Sequence, residues 1–204
     1  MRPIITILMT GLCLLLAGCG VTPPAKFYIL TPVEEIGTAA PGAPGPALGI
    51  GPVSFPAYLD RPEIVQRSGD NQLHLAGSHR WGEPLKTTFS RTLAENLSIM
   101  LPTERVTLYP WPRSAGIDYQ VSVDVTRFDA DAGGTVVLAA SWELSRSADG
   151  TVLSRQKANY TEAAGGPDYP AIVAAQSRAL ERLSRDIAAA IRRSVQPASQ
   201  PPGT

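Results

Sequence analysis

The middle of the chain carries three consecutive strand-like segments, the first two of which alternate apolar and polar residues, and this pattern constrains the fold more than any other feature. The first segment runs from Ile117 to Val125, the second from Val136 to Leu144, and the third from Thr151 to Thr161. Alternation with a period of two is typical of strands that have one buried and one wet face. The pattern therefore predicts an antiparallel meander, with turns at 129–134 and 147–150. A β-bulge is expected near Arg127, because Phe128 is out of phase.

Two amphipathic helices are predicted on either side of this meander. The first opens at Trp81-Gly82-Glu83-Pro84, carries an apolar residue at every fourth position from Leu85 to Leu101, and stops at Pro102. The second is capped by Asp168 and has one apolar face, formed by Ile172, Ala175, Ala179, Leu180, Leu183, Ile187 and Ile191. The expected fold class is α+β, with a single mixed, mostly antiparallel sheet and two helices packed on one face.

Short strands are predicted in the first half of the chain, at Phe27–Leu30, Leu48–Phe55, Ile64–Arg67, Gln72–Leu75 and Val106–Tyr109. Residues 37–49 are nearly all Gly, Ala and Pro, which predicts a flexible loop between two strands of one sheet. Residues 196–204 are Pro-rich and are predicted to be a disordered tail. The folded domain is therefore expected to cover residues 27–195.

The N-terminus has the features of an export signal followed by a tether. Arg2 precedes an apolar run from Ile4 to Leu16, which is shorter than the roughly 20 residues that a membrane crossing needs. The run ends in Leu16-Ala17-Gly18-Cys19, which resembles the bacterial lipobox, a motif whose cysteine receives a diacylglycerol before cleavage. Residues 1–18 are therefore expected to be a lipoprotein signal peptide, Cys19 a lipidation site and residues 19–26 a lipidated tether. The alternative is a buried helix followed by an ordinary thiol.

Charge and cysteine content argue against several classes of function. Without residues 1–18 the chain keeps 17 basic and 18 acidic residues, a net charge of −1, and no nucleic-acid partner is expected. The two cysteines are Cys13, inside the signal, and Cys19, so no disulfide is expected in the mature domain.

Catalytic and metal-binding patterns are also missing from the sequence. The two histidines, His74 and His79, do not form a metal-ligand pair, and the chain has no Gly-x-Ser-x-Gly elbow and no phosphate-binding glycine loop. Asp129 and Asp131 precede a glycine pair, but too few oxygen ligands follow for a calcium loop, and a solvated turn is the simpler interpretation. We expect no enzymatic activity, no metal and no cofactor apart from a covalent lipid.

Three short stretches combine aromatic and charged residues in ways that suit contact with a partner. Each also has a structural interpretation. Asp60 and Arg61 would fix a rigid turn through local hydrogen bonds, Glu83 would cap the first helix behind a packed Trp81, and Trp111 would cover a sheet edge. The candidate partner-binding residues are Tyr58, Leu59, Asp60, Arg61, Trp81, Glu83 and Trp111.

Several blocks of the chain besides Cys19 match one family. They are Phe27-Tyr28-Ile29-Leu30, Pro56-Ala57-Tyr58-Leu59-Asp60-Arg61-Pro62-Glu63-Ile64-Val65, Arg80-Trp81-Gly82-Glu83-Pro84-Leu85, Asn96-Leu97 through Leu101-Pro102, Tyr109-Pro110-Trp111 and the last helix. Together they resemble the ABC-type transport auxiliary lipoproteins, over most of the mature chain.

The resemblance implies a role beside transport systems that contain MCE (mammalian cell entry) domains and move lipids or other apolar molecules between the inner and outer membranes. The partners would be the periplasmic MCE-domain protein, its ABC permease and its ATPase. Association of the chain with copies of itself is a further possibility. The protein would dock while lipid-anchored on the periplasmic face of the envelope. Gly20, rather than Asp, after Cys19 favours the outer membrane by analogy with sorting in enteric bacteria. The alternative is a stand-alone envelope lipoprotein that binds lipid or assists outer-membrane assembly.

Overall fold

The computed structural model of the protein describes residues 23–34, 45–101 and 103–195. The predicted signal peptide, Cys19, the predicted tail at 196–204 and most of the Gly/Ala/Pro-rich stretch at 37–49 lie outside these residues. The described elements are β1 (Lys26–Tyr28), β2 (Leu48–Ser54), β3 (Glu63–Arg67), β4 (Leu73–Trp81), α1 (Leu85–Met100), β5 (Val106–Leu108), β6 (Tyr119–Asp131), β7 (Thr135–Arg146), β8 (Val152–Ala163) and α2 (Tyr169–Val195).

All eight described strands belong to one sheet, and β6 is its centre. Along one side β6 pairs with β7, which pairs with β8, and both of these long pairings are antiparallel. β7 pairs with nearly the whole length of one side of β6. The other side of β6 is shared end to end by β2 and β3, and both of these strands run parallel to β6. The sheet then forks: β5 continues one branch beyond β2, and β4 and β1 continue the other beyond β3. The predicted mixed, mostly antiparallel sheet is confirmed.

The alternating pattern has the predicted structural meaning. Val121, Val123 and Val125 of β6 are buried, and the residues between them face the opposite side of the sheet. The pairing register shifts between Val125 and Arg127, which is the predicted bulge. The shift turns Phe128 back into the core, where it is 1% exposed.

Both helices lie on one face of the sheet and pack against each other, as predicted. The apolar stripe of α1 and the apolar face of α2 are buried in a single core with the strand residues. Asp168 caps α2, because its Oδ1 accepts a hydrogen bond from the Ala171 N–H at 3.1 Å. Within the described parts of the chain, no helix has both the length and the apolar character that crossing a membrane would require.

Two local predictions are wrong. Trp81 does not open α1, because β4 continues to Trp81, where the Trp81 N–H donates to the Pro62 carbonyl at 2.7 Å and β1 pairs alongside. Pro84 therefore precedes the helix, which begins at Leu85. Residues 129–131 are not part of a turn either, because pairing with β7 and β3 extends β6 to Asp131.

The chain enters the domain across the seam between the two helices. Residues 30–33, which we call the N-terminal segment, follow β1 and bond to Thr88, Thr92 and Asn96, polar residues spaced four apart on α1. The Leu30 N–H donates to Thr88 Oγ1 at 3.2 Å, and the Val33 N–H donates to Asn96 Oδ1 at 2.9 Å. The Thr31 N–H donates to Ser177 Oγ of α2 at 3.1 Å. These buried polar groups fix the segment against both helices.

Candidate functional site

The candidate segment Tyr58–Arg61 lies between β2 and β3 and begins inside a 3₁₀ turn, Ala57–Leu59. The turn is held by backbone hydrogen bonds, from the Leu59 N–H to the Pro56 carbonyl and from the Arg61 N–H to the Leu59 carbonyl, both 3.0 Å. Leu59 is buried in the core at 3% exposure, whereas Asp60 is exposed. The structure agrees with the expected rigid turn, because the backbone N–H groups of Asp60 and Arg61 make local hydrogen bonds.

Tyr58 is fixed by a charged cluster centred on Asp129 of β6, which is completely buried. The Tyr58 hydroxyl donates to Asp129 Oδ2 at 2.8 Å, Arg67 Nη2 donates to the same oxygen at 3.2 Å, and Arg127 Nε donates to Oδ1 at 2.9 Å. The Arg67 guanidinium also lies 5.9 Å from the centre of the Tyr58 ring. A buried carboxylate with three donors is well satisfied, and here it fastens the 57–62 stretch to the centre of the sheet.

The cluster changes the acid–base properties of its members. Burial and the hydrogen bond to Asp129 raise the pKa of Tyr58 to about 12. The hydrogen bond to Asp129 raises the pKa of Arg67, so this guanidinium stays charged. The Tyr58 hydroxyl is therefore neutral at physiological pH and serves as a hydrogen-bond donor, with none of the nucleophilic character of a phenolate.

Trp81 and Glu83 both lie shortly before the start of α1 but have different surroundings. Trp81 is 5% exposed and belongs to the core. The Glu83 carboxylate accepts a hydrogen bond from Arg91 Nη2 at 2.8 Å and does not cap the helix. The structure therefore gives Trp81 little surface for a partner and leaves Glu83 in a surface ion pair.

Trp111 lies at the other end of the molecule, in the loop between β5 and β6. Its indole packs on β2 so closely that a Cβ on Gly49 would be 2.9 Å from Trp111 Cη2. The Tyr109 ring meets it edge to face at 5.4 Å and is itself 58% exposed. Trp111 thus packs against β2, a strand that is paired on both sides, and is half-buried.

Trp111 also borders an open groove of about 930 Å³. Ile117, Tyr119 and Val195 contribute apolar surface to this groove, and Arg105 and Arg146 contribute charge. Tyr119 and Val195 bring together the start of β6 and the end of α2, which are separated in sequence. We call this the distal groove. Sequence analysis identified Trp111 but missed the other members, because their proximity depends on how the starts of β2 and β6 meet the end of α2 in the fold.

The distal groove and the entry of the chain lie at opposite ends of α2. At the first end, Tyr28 Oη of β1 lies 2.7 Å from His79 Nδ1, and the His79 ring stacks on Tyr169, the first residue of α2, at 4.0 Å. At the second end, Val195 closes α2 and borders the groove. A helix of 27 residues spans about 40 Å at 1.5 Å per residue.

The candidate acidic residues do not form a metal site. Asp131 Oδ1 accepts hydrogen bonds from the N–H groups of Gly133 at 2.9 Å and Thr135 at 2.8 Å, and the Thr135 bond lowers the pKa of Asp131. Asp129 is occupied by Tyr58 and its arginines. Across residues 23–34, 45–101 and 103–195, no three His, Cys, Asp or Glu side chains come together as a metal ion would need.

Comparison with known proteins identifies the family. The model of the ABC-type transport auxiliary lipoprotein component family matches residues 28–188, most of the chain. The chain belongs to this family. The predicted recognition is confirmed, and the family consists of transport-associated lipoproteins, not of a known class of enzymes. The match also places the protein among lipoproteins that associate with an ABC transport system.

Solved structures share the fold. An uncharacterised protein is 22% identical, with a TM-score of 0.67, over 85% of this chain and 99% of its own. A protein from Xanthomonas campestris is 18% identical, with a TM-score of 0.65, over 84% of this chain and 100% of its own. No curated protein matches the sequence. At these identities the likeness establishes the fold alone.

Proposed function

We propose that the protein is the lipid-anchored auxiliary subunit of an MCE-type ABC transport system that moves lipids or other apolar molecules between the inner and outer membranes. It docks to the MCE-domain protein in the periplasm and has no catalytic role and no cofactor other than the lipid on Cys19. Gly20 after Cys19 favours the outer membrane as the site of anchoring. The observation that carries the proposal is the family match over residues 28–188.

The separation of the two ends of the molecule supports docking at the distal groove. The tether enters at β1, near the first residue of α2, whereas the groove lies at the last residue of α2, about 40 Å away. A partner that approaches from the periplasm meets the groove first. Trp111 and Tyr109 are aromatic anchors of the kind that carry binding energy in interfaces, and Arg105 and Arg146 provide a polar rim.

Site-specific crosslinking in the native envelope tests the docking. A photoreactive amino acid in place of Tyr109, whose side chain is 58% exposed, is expected to capture the MCE-domain protein. The matched control replaces Asn159, an exposed residue of β8 away from the groove. Capture of the MCE-domain protein at position 109 but not at position 159 supports the proposal. If no envelope transport protein is captured at either position, the proposal is contradicted.

The anchor is tested separately by Cys19→Ala. With residues 1–18 exchanged for a signal that is cleaved without lipid addition, this variant is expected to leave the membrane fraction and enter the soluble periplasm, because the thioether that carries the lipid can no longer form. Intact-mass measurement of the membrane-bound protein should show Cys19 at the N-terminus with a diacylglycerol adduct. An unmodified thiol with residues 1–18 retained would contradict the anchor.

The alternative is a stand-alone envelope lipoprotein that binds lipid itself or assists outer-membrane assembly. Lipid binding inside the domain would need space between the sheet and the helices, and Phe89, Leu93 and Leu180 fill that space with 0% exposure. Native mass spectrometry distinguishes the two functions. Co-purified lipid in the Cys19→Ala protein favours the alternative, and a bare chain favours docking.

A further inference from the structure

Two large apolar side chains are exposed at the end of the domain where the chain enters. Phe27 is 66% exposed and Ile29 is 58% exposed, the two most exposed apolar side chains of that end. They are two residues apart in extended chain and therefore point to the same side. Tyr28, which lies between them, is partly buried, and Leu30, which follows them, is buried. We call Phe27 and Ile29 the anchor-proximal patch.

The fold does not need this patch. Phe27 lies on β1, an edge strand whose pairing is with β4 alone among the described strands. Edge strands are usually protected by charge, and an apolar pair there is a liability unless something covers it. Ile29 rests on Gly82 without entering the core, since a Cβ on Gly82 would be 3.3 Å from Ile29 Cγ2. Both side chains thus project from a backbone that is already fixed.

The sequence limits what can cover the patch. Phe27 follows Cys19 by eight residues, and eight extended residues span at most about 28 Å. A lipid on Cys19 therefore holds the patch close to a membrane surface. Two basic side chains accompany it: Lys26 is exposed, and Arg80 pairs in register with Phe27, with Nη2 3.8 Å from Glu63 Oε1. Apolar side chains flanked by cations match the boundary between acyl chains and phosphate groups.

We propose that the anchor-proximal patch inserts into the phospholipid surface that holds the lipid anchor, with Phe27 and Ile29 at the acyl boundary and Lys26 among the headgroups. This inference rests on the anchor of the proposed function. The patch is a second point of attachment, and two points fix the orientation of a domain that one flexible tether would leave free. With β1 on the membrane, the opposite end of α2 and the distal groove are held away from it.

Labelling of single cysteines tests the insertion in the intact lipoprotein. The chain has two cysteines, Cys13 in the predicted signal and Cys19 at the predicted lipid site, so an added cysteine is the single free thiol of the mature protein. Phe27→Cys and Ile29→Cys carry an environment-sensitive fluorophore, and Leu108→Cys, exposed on β5, is the matched control. The proteins are reconstituted in vesicles of phosphatidylethanolamine and phosphatidylglycerol that contain brominated lipid.

The expected result is at least about twofold quenching by brominated lipid at positions 27 and 29 and none at 108. Labels at 27 and 29 that respond only to an aqueous quencher, on protein that floats with the vesicles, overturn the inference and leave the anchor intact. Labels shielded from both quenchers by a co-purified protein overturn it too, in favour of a protein partner. Protein that does not float contradicts the anchor, and with it both proposals.

A second measurement does not depend on the anchor. The unlipidated Cys19→Ser protein, produced without residues 1–18, is expected to bind the same vesicles weakly, and the double change Phe27→Ser with Ile29→Ser is expected to reduce its partition by about tenfold. Leu108→Ser is the matched control. Equal partition of the three proteins, all with the same unfolding midpoint, overturns the inference.

Discussion

Asp129 is the residue on which the position of the 57–62 stretch depends most. Its carboxylate is completely buried and accepts hydrogen bonds from Tyr58, Arg67 and Arg127. Asp129→Ala should lower the free energy of unfolding by about 2–4 kcal/mol, because it leaves two partly buried guanidinium groups and one hydroxyl without their acceptor. Urea unfolding of the Cys19→Ser protein measures the change.

Asp124 provides the matched control for this prediction. It lies on the same strand and pairs with Ser54, but it is exposed. Asp124→Ala should change the free energy of unfolding by no more than about 0.5 kcal/mol. Equal losses from Asp129→Ala and Asp124→Ala would mean that the cluster adds nothing beyond a surface contact.

Tyr58 makes the stability of the domain sensitive to alkaline pH. The pKa of Tyr58 rises from about 10 in an unfolded chain to about 12 in the fold. The stabilisation from its neutral hydroxyl is therefore complete below about pH 10 and is lost as the pH rises through about 12. Tyr58→Phe lacks this contribution, so wild type should exceed Tyr58→Phe in free energy of unfolding at about pH 9, with the difference shrinking at about pH 11.5. If the difference in free energy of unfolding between wild type and Tyr58→Phe does not change with pH, the pKa of Tyr58 is not raised by folding.

At the scale of elements, α1 binds the N-terminal segment through its polar side chains, of which Asn96 is the most buried. Asn96 is 0% exposed; its Oδ1 accepts from the Val33 N–H at 2.9 Å and its Nδ2 donates to Ser184 Oγ at 3.0 Å. Asn96→Ala leaves buried partners on two other elements and should cost about 2 kcal/mol. Faster hydrogen exchange should appear at the Val33 amide. Glu95→Ala, at the exposed neighbouring position, should alter neither the stability nor the exchange at Val33.

The elements predictable from sequence are those whose signal is local. The alternation in β6 and β7 predicts their buried faces correctly because β6, β7 and β8 pair with neighbours in sequence, and the bulge follows from the single out-of-phase residue, Phe128. The forked order of the sheet could not be predicted, because the parallel pairings of β2 and β3 with β6 join residues far apart in the chain. The extension of β4 to Trp81 has the same origin, since β1 and Pro62 supply its partners.

The candidate site was predictable only in part, for a related reason. Local composition singled out Tyr58 and Trp111, and the structure places both in well-defined surroundings. The acceptor for Tyr58 is Asp129, 71 positions away, which local sequence placed in a turn. The exposure of Phe27 and Ile29 could not be predicted either, because four consecutive apolar or aromatic residues, 27–30, do not indicate which of them face the core. Partner binding at the predicted residues stays a prediction.

At the scale of the whole molecule, the point where the chain enters is part of the core. Leu30 is 3% exposed, and the N-terminal segment joins both helices through Thr88, Asn96 and Ser177. A force on the tether therefore acts on α1 and α2 directly. The membrane-facing end of the domain and the distal groove move as one body, because α2 runs from one to the other.

Two truncations test whether the N-terminal segment belongs to the folded unit. A chain that begins at Pro24 retains β1 and the segment, and its unfolding midpoint should equal that of the Cys19→Ser protein. A chain that begins at Glu34 lacks β1, the burial of Leu30 and the backbone groups that meet Thr88, Asn96 and Ser177. The loss should be at least about 5 kcal/mol, roughly half from apolar burial and half from unpaired buried polar groups. Domains of this size are stable by about 5–15 kcal/mol, so the shorter chain should be largely unfolded by circular dichroism.

A cooperative transition of the Glu34 chain near the wild-type midpoint would show instead that the segment only rests on the helices. In that case the position and orientation of the distal groove relative to the membrane would depend on β1 and its pairing with β4 alone.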